Sequence, residues 1–254
     1  MEILIGLLGG VLVGATGIGS GSLIAPLLVL SGYSPAAAVG TGLVSLICSK
    51  CTAAELHRRL GHWPSRHTIT LTMGGLTGVA TSWVGSRLFL RAFDLHWESY
   101  WKLILAGALL LTAASLQLPR PTNQKHGLYF NCADRPVLLY LIGTVVGVVV
   151  ALTSAGSGGL LIPLLLWVTP WETQELAAIS NVYGTAVGLA SILLYAGNHF
   201  LDFRLILLVL AGVLPGVFLG VRLSRKTSRR IFARGIAIGA AYVACTLLIR
   251  TLLP

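Results

Sequence analysis

Hydrophobic runs of bilayer length recur along this chain, and that feature excludes most folds. Eight can be read, over residues 3–31, 36–56, 67–90, 99–118, 136–168, 175–196, 203–223 and 231–253. The hydrocarbon core of a bilayer demands about 20 apolar residues per helical crossing, and every run reaches that length. Only helices and closed barrels satisfy their own backbone amides in hydrocarbon, and continuous apolar runs of this length read as helices. Composition agrees, with 55% of residues hydrophobic and 10% charged. A soluble domain carries about 25% charged residues to cover its surface. The fold class expected is therefore an all-α integral membrane protein with no separate soluble domain.

The formal charge of +10 does not point to nucleic acid. The basic residues cluster in short loops between apolar runs, as in Arg222, Arg225, Lys226, Arg229, Arg230 and Arg234. Membrane topology accounts for that placement. Met1-Glu2-Ile3-Leu4 lacks the basic stretch of a cleaved signal peptide, so the first run is expected to remain in the protein. Of the four cysteines, Cys48 and Cys51 have CxxC spacing within an apolar run. They read as small buried thiols rather than a metal or redox pair.

The chain is an internal duplication. Gly14-Ala15-Thr16-Gly17-Ile18-Gly19-Ser20-Gly21-Ser22-Leu23-Ile24-Ala25-Pro26 aligns without gaps on Ala151-Leu152-Thr153-Ser154-Ala155-Gly156-Ser157-Gly158-Gly159-Leu160-Leu161-Ile162-Pro163. Gly61 matches Gly197, and Gly85-Ser86-Arg87 matches Gly220-Val221-Arg222. The longest polar stretch, Pro119 to Pro136, lies between the copies. The division expected is repeat 1 over 1–118, a cytoplasmic connector over 119–135 and repeat 2 over 136–254. Such repeats characterise secondary transporters.

The first and fifth runs are long and interrupted by Gly, Ser and Pro. Each is either one bent span or a re-entrant hairpin that leaves on the face it entered. The positive-inside rule separates these. With bent spans, the two faces collect eight and nine basic residues, which is no bias. With re-entrant hairpins, one face collects twelve and the other five. The twelve are Arg58, Arg59, Arg66, Arg120, Lys125, Arg135 and the six from Arg222 to Arg234. The expectation is two inverted repeats. Each has a broken, re-entrant helix pair followed by three transmembrane helices, with the basic face cytoplasmic.

Irregular backbone at membrane depth must be buried or line a cavity. Gly19-Ser20-Gly21 and Gly156-Ser157-Gly158 are such places, each followed by a short apolar half-helix. A half-helix N-terminus carries free N–H groups and about half a positive charge, which suits an anion. Ser20, Ser157 and Ser22 add hydroxyl donors, and the matching Thr16 and Thr153 flank the breaks. Thr41 and Ser45 on the next helix align with Asn181 and Thr185, and four-residue spacing places each pair on one face. These faces line the site or make ordinary interhelical hydrogen bonds. Lys50, within a run, either supplies a counter-charge or snorkels toward the inner end and Glu55. No Ser-His-Asp, HExxH or P-loop pattern is present, so no enzyme activity, metal or cofactor is expected.

These motifs resemble the sulfite exporter TauE/SafE family, also called the 4-toluene sulfonate uptake permease family. The residues 14–28 carry the resemblance, with Ala38-Val39-Gly40-Thr41, Gly61-His62 and their second-half counterparts. It implies a multi-pass protein of the bacterial inner membrane that moves sulfur-containing or other small organic anions, often outward. The second copy departs from the family's pattern. It reads Ser154-Ala155-Gly156-Ser157 where Gly-Ile-Gly-Gly is common, and Ser180-Asn181 where Gly-Thr is common.

The expected partners are a small anion, the lipid bilayer and a coupling ion (proton or sodium). A homodimer is a further option, and nucleic acid is not expected. Two competing readings remain at this stage: a non-transporting membrane scaffold, and a cation permease using Glu55, His57 and the cysteines.

Overall fold

A computed structural model describes residues 1–16, 21–59, 66–92, 97–117, 135–169, 171, 173–197, 201–224 and 229–252. Among these residues every regular element is a helix, with no strand. The long runs become α3 (Pro35–Arg59), α4 (Arg66–Ala92), α5 (Trp97–Gln117), α8 (Thr173–Gly197), α9 (Phe203–Ser224) and α10 (Arg229–Leu252). The first run divides into α1 (Glu2–Thr16) and α2 (Gly21–Leu30), and the fifth into α6 (Pro136–Thr153) and α7 (Leu161–Val168). Four helices are long and apolar enough to cross a bilayer among the described residues, at Pro35–Glu55, Pro136–Thr153, Glu175–Leu193 and Phe203–Gly220. Large apolar side chains such as Ile69, Val145, Leu193, Leu207 and Phe218 face outward. In water that surface would be a liability, whereas in lipid it is the solvated face. The connector over 119–135 lies outside the described residues except for Arg135.

The local chemistry of the second break is clear. Ser154 ends α6 in the left-handed conformation, at φ 57°, and its N–H donates to the carbonyl of Val150. Two residues on, Gly156 has φ 111°, a conformation that side chains resist. Two such residues within three stop the helix, and the chain turns before α7 starts.

The first broken pair folds back on itself. In line, its 25 helical residues would span roughly 37 Å at 1.5 Å per residue. Instead the Tyr33 hydroxyl, just beyond α2, donates to the Glu2 carboxylate at 2.6 Å. The start of α1 and the end of α2 therefore lie at the same end of the bundle.

Close glycine contacts set the directions of the other helices. Gly6 and Gly10 of α1 face Val209 and Val213 of α9, so that pair runs parallel. Gly74 and Gly78 of α4 face Tyr140 and Thr144 of α6, also parallel. Cβ atoms at Gly6, Gly10, Gly74 and Gly78 would lie 2.1–2.4 Å from facing carbonyl oxygens. Small residues four apart let membrane helices approach this closely. Leu46 and Ile47 face Gly188 while Lys50 reaches Asn181, so α3 and α8 run antiparallel. At the far end of α3, the Trp171 ring beyond α7 lies 5.3 Å from the His67 ring at the start of α4. Because α4 and α6 are parallel, α7 ends at the level where α6 begins. The two hairpins thus open at opposite ends of the bundle.

Candidate functional site

The second break meets the start of α2 in the interior. The Ser154 hydroxyl donates to the carbonyl oxygen of Gly21, the first residue of α2, at 3.1 Å. A Cβ on Gly21 would stand 2.1 Å from the Ser154 carbonyl oxygen, and one on Gly42 would stand 2.4 Å from its hydroxyl. Ser154 is therefore wedged between the first turn of α2 and the middle of α3.

The free carbonyls at the end of α6 and in the second break are satisfied by side chains from two neighbouring helices. Tyr195 donates to Ala151 O at 3.0 Å, Trp101 to Leu152 O at 2.8 Å, and Ser115 to Gly159 O at 2.7 Å. Ser180 donates to Ser157 O. In hydrocarbon each of these carbonyls would otherwise be an unpaired polar group costing several kcal/mol. The break is thus a built feature held in place by α5 and α8.

Beside it lies a buried cation. Lys50, 2% exposed, extends from α3 toward α8. Its ammonium donates to Ser180 Oγ at 3.1 Å and to Asn181 Oδ1 at 3.1 Å. Ser180 therefore accepts from Lys50 and donates to the break. A Cβ on Gly184 would touch both the Ser157 hydroxyl, at 3.1 Å, and the Lys50 Cδ, at 3.5 Å, so the two side chains flank one glycine. An ammonium has three donors, and two are used here. No carboxylate among the described residues pairs with it.

Further hydroxyls are buried nearby in the sequence pattern. Ser157 Oγ, Thr41 Oγ1 and Ser45 Oγ have no hydrogen-bond partner among the described residues. Buried hydroxyls are ordinarily paired. The Ser157 hydroxyl, beside Lys50 across Gly184, adds an unused donor next to an unneutralised cation, which suits an anion and disfavours a metal ion.

The remaining sequence-derived residues divide. Gly21, Ser22, Gly156 and Gly158 are buried at the two breaks. Thr153 is locked locally, donating to Val149 O and accepting from Ala155 N at 3.2 Å. Thr185 donates to Asn181 O at 2.8 Å, which leaves its oxygen facing Cys51 at 3.9 Å. Gly19 and Ser20 lie outside the described residues, as does the side chain of Thr16. The alternatives for Lys50 resolve in favour of an interior position, because its ammonium bonds across to α8. The expectation of buried cysteines is corrected. Cys51 and Cys245 are exposed and Cys48 is half-buried, since an apolar environment here means lipid as well as protein. Cys132 lies outside the described residues.

Ser154 and Ser180 were not among the residues expected at the site. Their signal was present in the duplication. Ser154 stands where the first copy has Gly17, and Ser180 where it has Gly40. A polar side chain replacing glycine in one copy only marks a contact that the other copy does not make.

A polytopic helical bundle closed around two broken helices and a buried polar centre is the architecture of a membrane transporter. The chain belongs to the sulfite exporter TauE/SafE family, whose model matches residues 2–247. It is similar to the "Probable membrane transporter protein YjnA" of Bacillus subtilis (strain 168), with 31% identity over 214 residues, or 83% of this chain and 84% of the relative. No solved structure matches the chain.

Proposed function

We propose that the protein is a secondary transporter, working as an exporter, of small sulfur-containing or organic anions such as sulfite or sulfonates. It acts across the bacterial inner membrane. The observation that carries this reading is Lys50, an ammonium removed from water and held only by the neutral oxygens of Ser180 and Asn181. An intramembrane charge is expensive and marks a functional site by default. An oxyanion beside it would meet the unused ammonium donor and the Ser157 hydroxyl, next to the start of α7. The first break would contribute Gly19, Ser20, Gly21 and Ser22 from the other side, with Thr41 and Ser45 on the adjoining helix.

The halves 1–118 and 136–254 act as inverted repeats in this account, with rocking between them giving alternating access. The antiparallel α3 and α8 and the oppositely opening hairpins support that arrangement, as does the twelve-to-five charge bias of the loops. The test is flux. Liposomes holding the protein and loaded with sulfite should release it faster than protein-free liposomes, and the Lys50→Met protein should not. Release by both proteins alike would remove Lys50 from the mechanism. Release by neither, for any sulfur oxyanion or carboxylate, would favour a scaffold.

A further inference from the structure

The charge balance of the Lys50 site has a consequence for how transport runs. None of the chain's eight carboxylates lies in the interior of an apolar run. Among the described residues, the cation that α3 carries into the bundle has no built-in counter-charge. Its second-copy counterpart by the helix alignment is Ala190, which is uncharged, so the bundle brings in one positive charge and not two. Ser180 and Asn181 supply dipoles, which lower the cost of burial without cancelling the charge. In the closed arrangement seen here the ammonium is out of contact with water.

Closing the bundle over a site therefore has two energies. With one singly charged anion against Lys50, the interior is neutral. Without it, closing costs either the desolvation of a net charge or the loss of the ammonium's proton, and with a doubly charged anion a net charge of opposite sign must be desolvated. We infer that the site takes one singly charged oxyanion at a time and changes face only when occupied, so that the protein is an electroneutral anion exchanger. This rests on the transporter reading above and adds the substrate's charge and the mode of exchange to it. A sulfonate, or sulfite in its singly protonated form, matches that charge.

The experiment uses the full chain in liposomes loaded with radiolabelled methanesulfonate. These are diluted into medium containing either methanesulfonate, the doubly charged methanedisulfonate, or only the bulky anion lactobionate. Release into methanesulfonate should exceed release into lactobionate by on the order of a hundredfold, the factor corresponding to one uncompensated charge at membrane depth. Methanedisulfonate should not accelerate it. The rate of exchange should be unchanged when a potassium gradient with valinomycin imposes a membrane potential. Lys50→Gln removes the charge, so whatever release it retains should lose its dependence on external anion. Equal release into methanesulfonate and lactobionate, or an exchange rate that follows the potential, would overturn the inference. Calorimetry of methanesulfonate binding to the purified protein separates the two levels. Binding without acceleration by external anion removes exchange alone, whereas neither binding nor flux removes the transporter reading with it.

Discussion

Ser154 and Gly21 are joined by a 3.1 Å hydrogen bond that spans 133 positions of sequence and ties the break in one half to the half-helix of the other. Packing at the same point is tighter than the bond itself, because Gly21 has no room for a side chain. The pair is where the two copies become one structure, and several outcomes follow from its geometry.

Gly21→Ala should be severely destabilising. The added methyl would lie 2.1 Å from a backbone oxygen, which cannot rotate away. Overpacking of a tight interior costs about 1–3 kcal/mol, and a clash with backbone belongs at the upper end. Thermal unfolding of the detergent-purified protein should show a marked fall in Tm, or the protein should fail to accumulate. An unchanged Tm would mean that Gly21 and Ser154 are not packed against each other.

Ser154→Gly should leave stability close to wild type, whereas Ser154→Ala should lower it. Both lose a hydrogen bond worth about 1 kcal/mol. Only glycine also relieves the left-handed backbone at φ 57°, a relief of about 1–2 kcal/mol. The order of Tm values, glycine above alanine, is the quantity to measure.

Lys50→Met should be neutral or stabilising. Removing a buried ion in favour of an apolar side chain of similar length removes its desolvation cost. Asn181→Leu should do the opposite, because it leaves the ammonium with one acceptor fewer, at about 1–3 kcal/mol. The double variant should recover most of that loss. Additive losses in such a double-mutant cycle would show that the two side chains are not coupled.

Tyr33 should titrate above the ordinary tyrosine range. Its hydroxyl donates to the Glu2 carboxylate, which favours the protonated phenol and repels the phenolate. The folded value is raised over the unfolded one, so, with Glu2 ionised, this contact contributes stability fully below about pH 10. That contribution is lost as the pH rises through the folded value. Ultraviolet absorbance should show a tyrosine transition that moves to lower pH in Glu2→Gln. No movement would separate the ends of the first hairpin.

Much of this architecture was legible in the sequence, because hydrocarbon leaves a chain few choices. The runs at 36–56, 67–90 and 175–196 end within three residues of α3, α4 and α8. The breaks were legible as clusters of glycine and serine at matching places, since nothing else stops an apolar helix in mid-membrane. Cross-chain geometry was not legible. That Lys50 turns toward Ser180 rather than toward Glu55 depends on the antiparallel crossing of α3 and α8, which no local pattern encodes. The close pairing of α1 with α9 and of α4 with α6 had a local signal in the glycine pairs Gly6/Gly10 and Gly143/Gly147. These align between the copies in the same register as the breaks.

The central claim is that Lys50 holds an anion, and ligand-dependent stability tests it most directly. A ligand that binds only the folded state raises Tm in proportion to its occupancy. Purified wild-type protein should gain thermal stability as sulfite or methanesulfonate is added at constant ionic strength, and Lys50→Met, though no less stable on its own, should gain none. Equal gains in the two proteins, or no gain in the wild type with any small oxyanion, would contradict the account.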